Sequence, residues 1–123
     1  MRDAAQAHAI VGRMASGVKD LKVWQEAVTL GGDVVRAVRD STRRETKAFT
    51  DWLMLTACTA AASIAAAHAR RSASDERECY LRSRRALLEL ETGLTIARQA
   101  GIITSAMHSQ LVSRVVALHI GHH

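Results

Sequence analysis

The sequence predicts an all-α protein, folded as an antiparallel up-down four-helix bundle, and three observations carry that reading. Proline is absent from all 123 residues and aromatic residues are only 3% of them, a composition that suits helices better than a sandwich or barrel. Apolar residues recur at steps of three and four in four successive stretches. Short breaks of turn and cap chemistry separate those stretches, as antiparallel neighbours require. A chain of this length has room for one hydrophobic core.

Residues 1–17 read as an N-terminal leader, flexible or a short helix, rich in Ala, Gln and His and punctuated by Gly12 and Gly17. The bundle domain follows over 18–123. Its first helix starts near Asp20, a good N-cap, with an apolar stripe at Leu21, Trp24, Val28, Gly31, Val35 and Val38. Gly31 and Gly32 each cost about 1 kcal/mol relative to alanine inside a helix, so packing must hold them, through a close helix crossing. Trp24 falls on the core stripe.

The segment Asp40-Ser41-Thr42 supplies a turn, and the second helix runs from about Glu45 to His68. Phe49, Leu53, Thr56, Ala60, Ser63 and Ala67 form its inner stripe. From Ala57 to Ala69 nearly every residue is small, so a second backbone can approach on more than one side, within the bundle and from another subunit. The break at Arg71-Ser72-Ala73-Ser74 places Ser74 as the cap, ahead of the acids Asp75, Glu76 and Glu78. The third helix carries Tyr80, Ser83, Leu87, Leu90, Leu94 and Ala97 inward and stops at Gly101. The fourth begins near Thr104, with Met107, Leu111, Val115 and Leu118 inside, and ends at Ile120-Gly121-His122-His123.

No run of about 18 uninterrupted apolar residues is present, and Arg2 and Asp3 have no apolar segment behind them. That pattern places the chain in the cytoplasm, away from membranes. Cys58 and Cys79 lack Cys-x-x-Cys spacing and read as reduced thiols in or near the core. The net charge of +5 is compatible with a polyanionic partner.

Two segments carry a resemblance. Asp20-Leu21-Lys22-Val23-Trp24-Gln25-x-Ala27 and Leu88-Glu89-Leu90-Glu91-Thr92-x-Leu94-x-x-Ala97, with Ser63-Ile64 between them, are similar in order and spacing to the bacterial four-helix-bundle proteins encoded in 23S ribosomal RNA intervening sequences. The similarity covers roughly residues 18–119. It implies a ring-shaped homopentamer with no assigned catalytic residues and no cofactor, and structural or interface roles for Leu21, Trp24, Ser63, Ile64, Glu89, Glu91 and Thr92. Accessory proteins of diversity-generating retroelements, more distant in sequence, share that architecture and work with a reverse transcriptase and structured RNA. The chain departs from the family after Ser63-Ile64. Where members have a Pro-x-Asn-Ile-Ala-Glu-Gly stretch, it has Ala65-Ala66-Ala67-His68-Ala69-Arg70-Arg71, and alanines there predict a helix that continues straight.

The candidate nucleic-acid-binding residues are Arg70, Arg71, Arg77, Arg82, Arg84 and Arg85, interleaved with Asp75, Glu76 and Glu78. Two readings stand: the arginines contact phosphates, with a closed ring multiplying a weak patch, or they pair with those acids on a solvated face. Tyr80 reads as core and Trp52 as the one aromatic with a chance of exposure, which argues against sequence-specific single-strand recognition. Glu89 and Glu91 lie about 200° apart on a helix and have no histidine or metal partner at helical spacing, so they read as caps or partners of arginines on a neighbouring helix or subunit. His119 and His123 are four apart, but Gly121 interrupts them and no acid or cysteine completes a metal site. No phosphate loop, nucleophile elbow or zinc spacing occurs. The sequence therefore predicts a non-enzymatic homo-oligomer that acts as an RNA-binding or ribonucleoprotein scaffold. The rival is an oligomeric protein–protein adaptor without nucleic-acid binding.

Overall fold

A computed structural model describes residues 18–40, 43–69 and 72–121, so the leader at 1–17, Arg70 and Arg71, and His122 and His123 lie outside the described residues. Four helices follow in order, with no strand among the described residues: α1 (Val18–Arg39), α2 (Lys47–His68) after a short 3-10 turn (Arg44–Thr46), α3 (Ala73–Gln99) and α4 (Ser105–Gly121). Each packs on its sequence neighbours, and α1 closes the circuit against α4. Short connections make neighbours antiparallel, the arrangement of an up-down bundle.

The helix ends follow local chemistry. Ser72, not Ser74, caps α3: its Oγ accepts the N–H of Asp75 at 3.1 Å. Starting there puts Asp75 and Glu76 in the first turn, where their charge meets the positive end of the helix. At the other end, Gly101 takes φ +78°, a conformation that costs a glycine nothing. The N–H groups of Ile102 and Gly101 turn back to the carbonyls of Ala97 and Arg98 at 2.8 and 3.0 Å, so two orphan acceptors are satisfied. Thr104 then opens α4, its Oγ1 accepting the N–H of Met107 at 3.1 Å. At the head of the bundle α1 begins at Val18, two residues before the expected cap, which leaves Asp20 in the first turn.

The core is aliphatic. Leu53, Ile64, Leu87, Leu90, Leu94 and Val115 are among its fully buried side chains. The inner stripes of α2, α3 and α4 match the periodicity, with Phe49, Tyr80 and Met107 half-buried at their edges. The stripe of α1 matches at Val38 but is otherwise offset. Ala27, Leu30, Val34 and Val38 face the core, while Val28 is 47% exposed and Gly31 and Val35 are half-buried. This helix has two adjacent apolar faces, and the periodicity alone followed the one that turns toward α2's outer side.

Polar groups in the core are partnered locally. Ser83, with no exposure, donates from Oγ to the carbonyl of Ala60 at 2.8 Å, joining α3 to α2 through small residues. Thr56 returns its hydroxyl to the carbonyl of Trp52. On the opposite side, Arg114 of α4 donates to Asp33 of α1 at 2.7 Å, and Arg36 also contacts that carboxylate. The hydrogen bond from Arg114 is the main reason the Asp33 carboxyl is held below its ordinary value, against the opposing effect of burial.

The alanine corner carries α2 through Ala65, Ala66 and Ala67, and the helix ends at His68, both as expected, with Ala69 as its cap. With α2 and the preceding turn, Arg44–His68 is long and apolar enough to cross a membrane by length and composition. The threonines and serine in it had hidden this from a count of uninterrupted apolar residues. One face of that stretch is the bundle core.

Candidate nucleic-acid interface

The arginines of α3 stand on the half of the helix nearest its N-terminus. Arg77, Arg82 and Arg85 are exposed and Arg84 is half-buried. At about 100° per residue, Arg77 and Arg84 share one edge of α3, while Arg82 and Arg85 lie about 80–140° around from Arg77. The structure thus divides the predicted cluster into two edges of one helix. Arg70 and Arg71 fall outside the described residues.

None of these four arginines pairs with Asp75, Glu76 or Glu78, nor with any other described carboxylate. The expected neutralisation of Arg77 by its sequence neighbours is absent because residues one or two apart on a helix point in different directions. Arg77 and Arg84 instead form walls of a shallow pocket of about 290 Å³, together with Tyr80, Leu81, Ala73 and Glu76. Tyr80 is half-buried, with its hydroxyl 3.0 Å from Nε2 of His68. The two rings meet edge to face, which ties the start of α3 to the end of α2.

The motif residues sort by burial. Ser63 and Ile64 are buried, Leu21 and Trp24 are half-buried against the core, and Leu90 and Leu94 fill it. Glu89 and Thr92 are exposed and Glu91 is half-buried. Neither glutamate makes an ion pair with a described residue, so the expected arginine partners are absent among the described residues. Of the Leu-Glu-Leu-Glu-Thr segment, Leu90 thus supplies the packing, while Leu88 is exposed.

One residue of that motif escaped the sequence reading. Gly93 is buried beneath Trp52: a Cβ there would sit 2.6 Å from Leu53 Cδ1 and 2.8 Å from Trp52 Cζ3. A glycine inside a strongly helical stretch was the available signal. It lets the 39%-exposed indole of Trp52 lie across α3.

A second surface is apolar. Between α1 and α2 runs a groove of about 720 Å³, walled by Trp24, Val28 and Val35 on one side and by Cys58 and the alanines from Ala61 to Ala69 on the other. Trp24, expected in the core, is therefore an edge residue. Gly31 lies at the groove floor, where a Cβ would stand 3.9 Å from the carbonyl of Ala57, consistent with the close crossing expected of the glycine pair. Cys58 is exposed in this groove, whereas Cys79 is buried, and both are free thiols. Among the described residues no three of His, Cys, Asp and Glu gather as metal ligands.

No curated protein and no solved structure matches the chain. A family model does match, over residues 19–119, and its description is 23S rRNA-intervening sequence protein. That span takes in all four helices and both motif segments, and the chain accordingly belongs to the 23S rRNA-intervening sequence protein family.

Proposed function

We propose that this chain is a cytoplasmic, non-enzymatic scaffold that assembles into a ring-shaped homopentamer and holds structured RNA on the arginines of α3. The carrying observation is that Arg77, Arg82, Arg84 and Arg85 are left without carboxylate partners among the described residues. Unneutralised guanidiniums on one helix favour a polyanion, because each phosphate they contact releases condensed counterions. Repetition around a ring would add to the affinity of a weak patch.

The test is fluorescence anisotropy of a labelled structured RNA at several salt concentrations. Binding should weaken steeply with salt, and reversal of Arg82, Arg84 and Arg85 to Glu should lower affinity by at least about tenfold. Absence of binding at low salt by an oligomeric preparation would overturn the RNA reading and leave the protein–protein adaptor.

Self-assembly draws support from the α1–α2 groove. Val28 is 47% exposed on its wall, apolar surface that a second copy would cover. We assign the groove to a second copy, since the chain also carries exposed Val116 and Ile120 on α4, a separate apolar face that a head-to-tail contact would bury. Sedimentation velocity should give the wild type a mass several times the chain's 13.4 kDa and Val28→Glu a mass near it. An assembly that survives Val28→Glu would place the contact elsewhere.

A further inference from the structure

The outward side of α3 carries a stripe that no other helix of the bundle covers. Leu81, Arg85, Leu88 and Thr92 follow at steps of four, three and four and fall within about 60° of one another, opposite the buried Leu90 and Leu94. That is the spacing of a coiled-coil seam. All four residues are exposed, Leu81 and Leu88 at 51% and 52%. Among the described residues α3 packs on α2 and α4 and not on α1, so the stripe is turned away from α1 as well as from the core.

The charges beside the stripe are ordered. Arg84 and Glu91 flank it on one edge and Arg82 and Glu89 on the other, each about 70–90° from its centre. On both edges the arginine precedes the glutamate by seven residues, so one half of the stripe is basic and the next turns are acidic. None of these four residues has an ion-pair partner among the described residues. The Nε of Arg84 is enclosed in the chain, so contact from outside falls to the other two nitrogens of that guanidinium.

A second α3 laid antiparallel matches both halves at once. Turned end for end, Leu81 packs on Thr92 of the second copy, and Arg85 lies beside Leu88 of the second copy with its head group leaving the seam. In that register Arg84 stands across from Glu91 of the second copy and Arg82 across from Glu89 of the second copy. Two-fold symmetry makes each of these pairs twice. A parallel pairing would instead set Arg85 against Arg85.

We propose that the outward stripe of α3 is a self-complementary contact, pairing antiparallel with α3 of a second copy in another assembly. The seam from Leu81 to Thr92 is about 17 Å long and its rim pairs are individually weak, so the contact gains strength from the several copies that each assembly carries. Its regulatory consequence rests on the RNA reading: pairing occupies Arg82 and Arg84, and two paired assemblies withhold from RNA the arginines that each presents when free.

Sedimentation velocity over a concentration series tests the contact. The assembled wild type should associate further, reversibly, to at least twice its mass as concentration rises. Glu89→Arg combined with Glu91→Arg should hold the mass of a single assembly throughout. Adding Arg82→Glu and Arg84→Glu to that variant exchanges the signs on both edges and should bring the association back, an outcome that neither misfolding nor a purely structural role produces. No further association of the wild type, association that survives the double reversal, or a quadruple variant that stays single would each overturn the contact. In a separate arm, structured RNA added to the associated wild type should return it to single, RNA-bound assemblies. RNA that binds without separating them would overturn the regulatory role. Absence of RNA binding would sink the RNA reading and the regulation with it, while the sedimentation comparison still decides the contact.

Discussion

Leu94→Ala is expected to destabilise the bundle by about 3–4 kcal/mol, read as a lower urea midpoint at unchanged slope. Leu94 has no exposed surface and belongs to the same buried cluster as Leu53, Leu90 and Val115. Removing its isobutyl group gives up the transfer free energy of the buried carbons and leaves a cavity, because close-packed helices held at both ends collapse only in part. Against a typical domain stability of about 5–15 kcal/mol, that is a large fraction. Leu88→Ala, six residues earlier on the same helix and 52% exposed, should change stability by less than about 0.5 kcal/mol. Equal losses at the two positions would contradict the assigned inner face of α3.

Gly93→Val should cost about as much, roughly 3 kcal/mol, by the opposite mechanism of overpacking. The first carbon of any side chain at 93 would lie 2.6 Å from Leu53 Cδ1 and 2.8 Å from Trp52 Cζ3. Leu53 is fully buried and has nowhere to go, whereas Trp52 is 39% exposed and can swing toward water. Relief through Trp52 forfeits the contact of its indole with α3, and the gain in helix propensity over glycine, under about 1 kcal/mol, offsets only part of the loss. Denaturation should therefore show reduced stability together with red-shifted tryptophan emission. A variant as stable as wild type would show that α2 and α3 do not approach closely at this point.

How much of this was legible beforehand depended on whether one face or two had to be chosen. In α2, α3 and α4 the stripe of longest regular period is the buried one, so Leu53, Leu87, Leu90 and Leu111 were placed inside correctly, although Leu55, Leu81 and Val116 lie off it and are exposed. In α1, the pair of stripes through Leu30 and Val34 and through Val28 and Val35 have the same period, and only the positions of neighbouring helices decide which is the core. The cap of α3 was misplaced by two residues because Ser72 and Ser74 offer the same oxygen, and the hydrogen bond to Asp75 makes the choice. For the candidate site, the identity of the arginines was plain and their partners were not. Charge order along the chain suggested pairing of Arg77 with its neighbours, but helix geometry sends those side chains apart. The burial of one nitrogen of Arg84 has no sequence signature at all.

The circuit of helix contacts also bears on how the molecule reaches its fold. Three of the four packed pairs, α1 with α2, α2 with α3 and α3 with α4, join elements consecutive in the chain, and only α1 against α4 joins distant ones. Such a topology has low contact order, so most loop-closure entropy is met in small steps and folding belongs on the fast, microsecond-to-millisecond end of the range. The ion pair of Asp33 with Arg114 lies on the one contact that must wait for the rest of the chain. Weakening it should mainly speed unfolding and leave the folding rate nearly unchanged, so the lifetime of the folded chain, more than its ability to fold, rests on that seam.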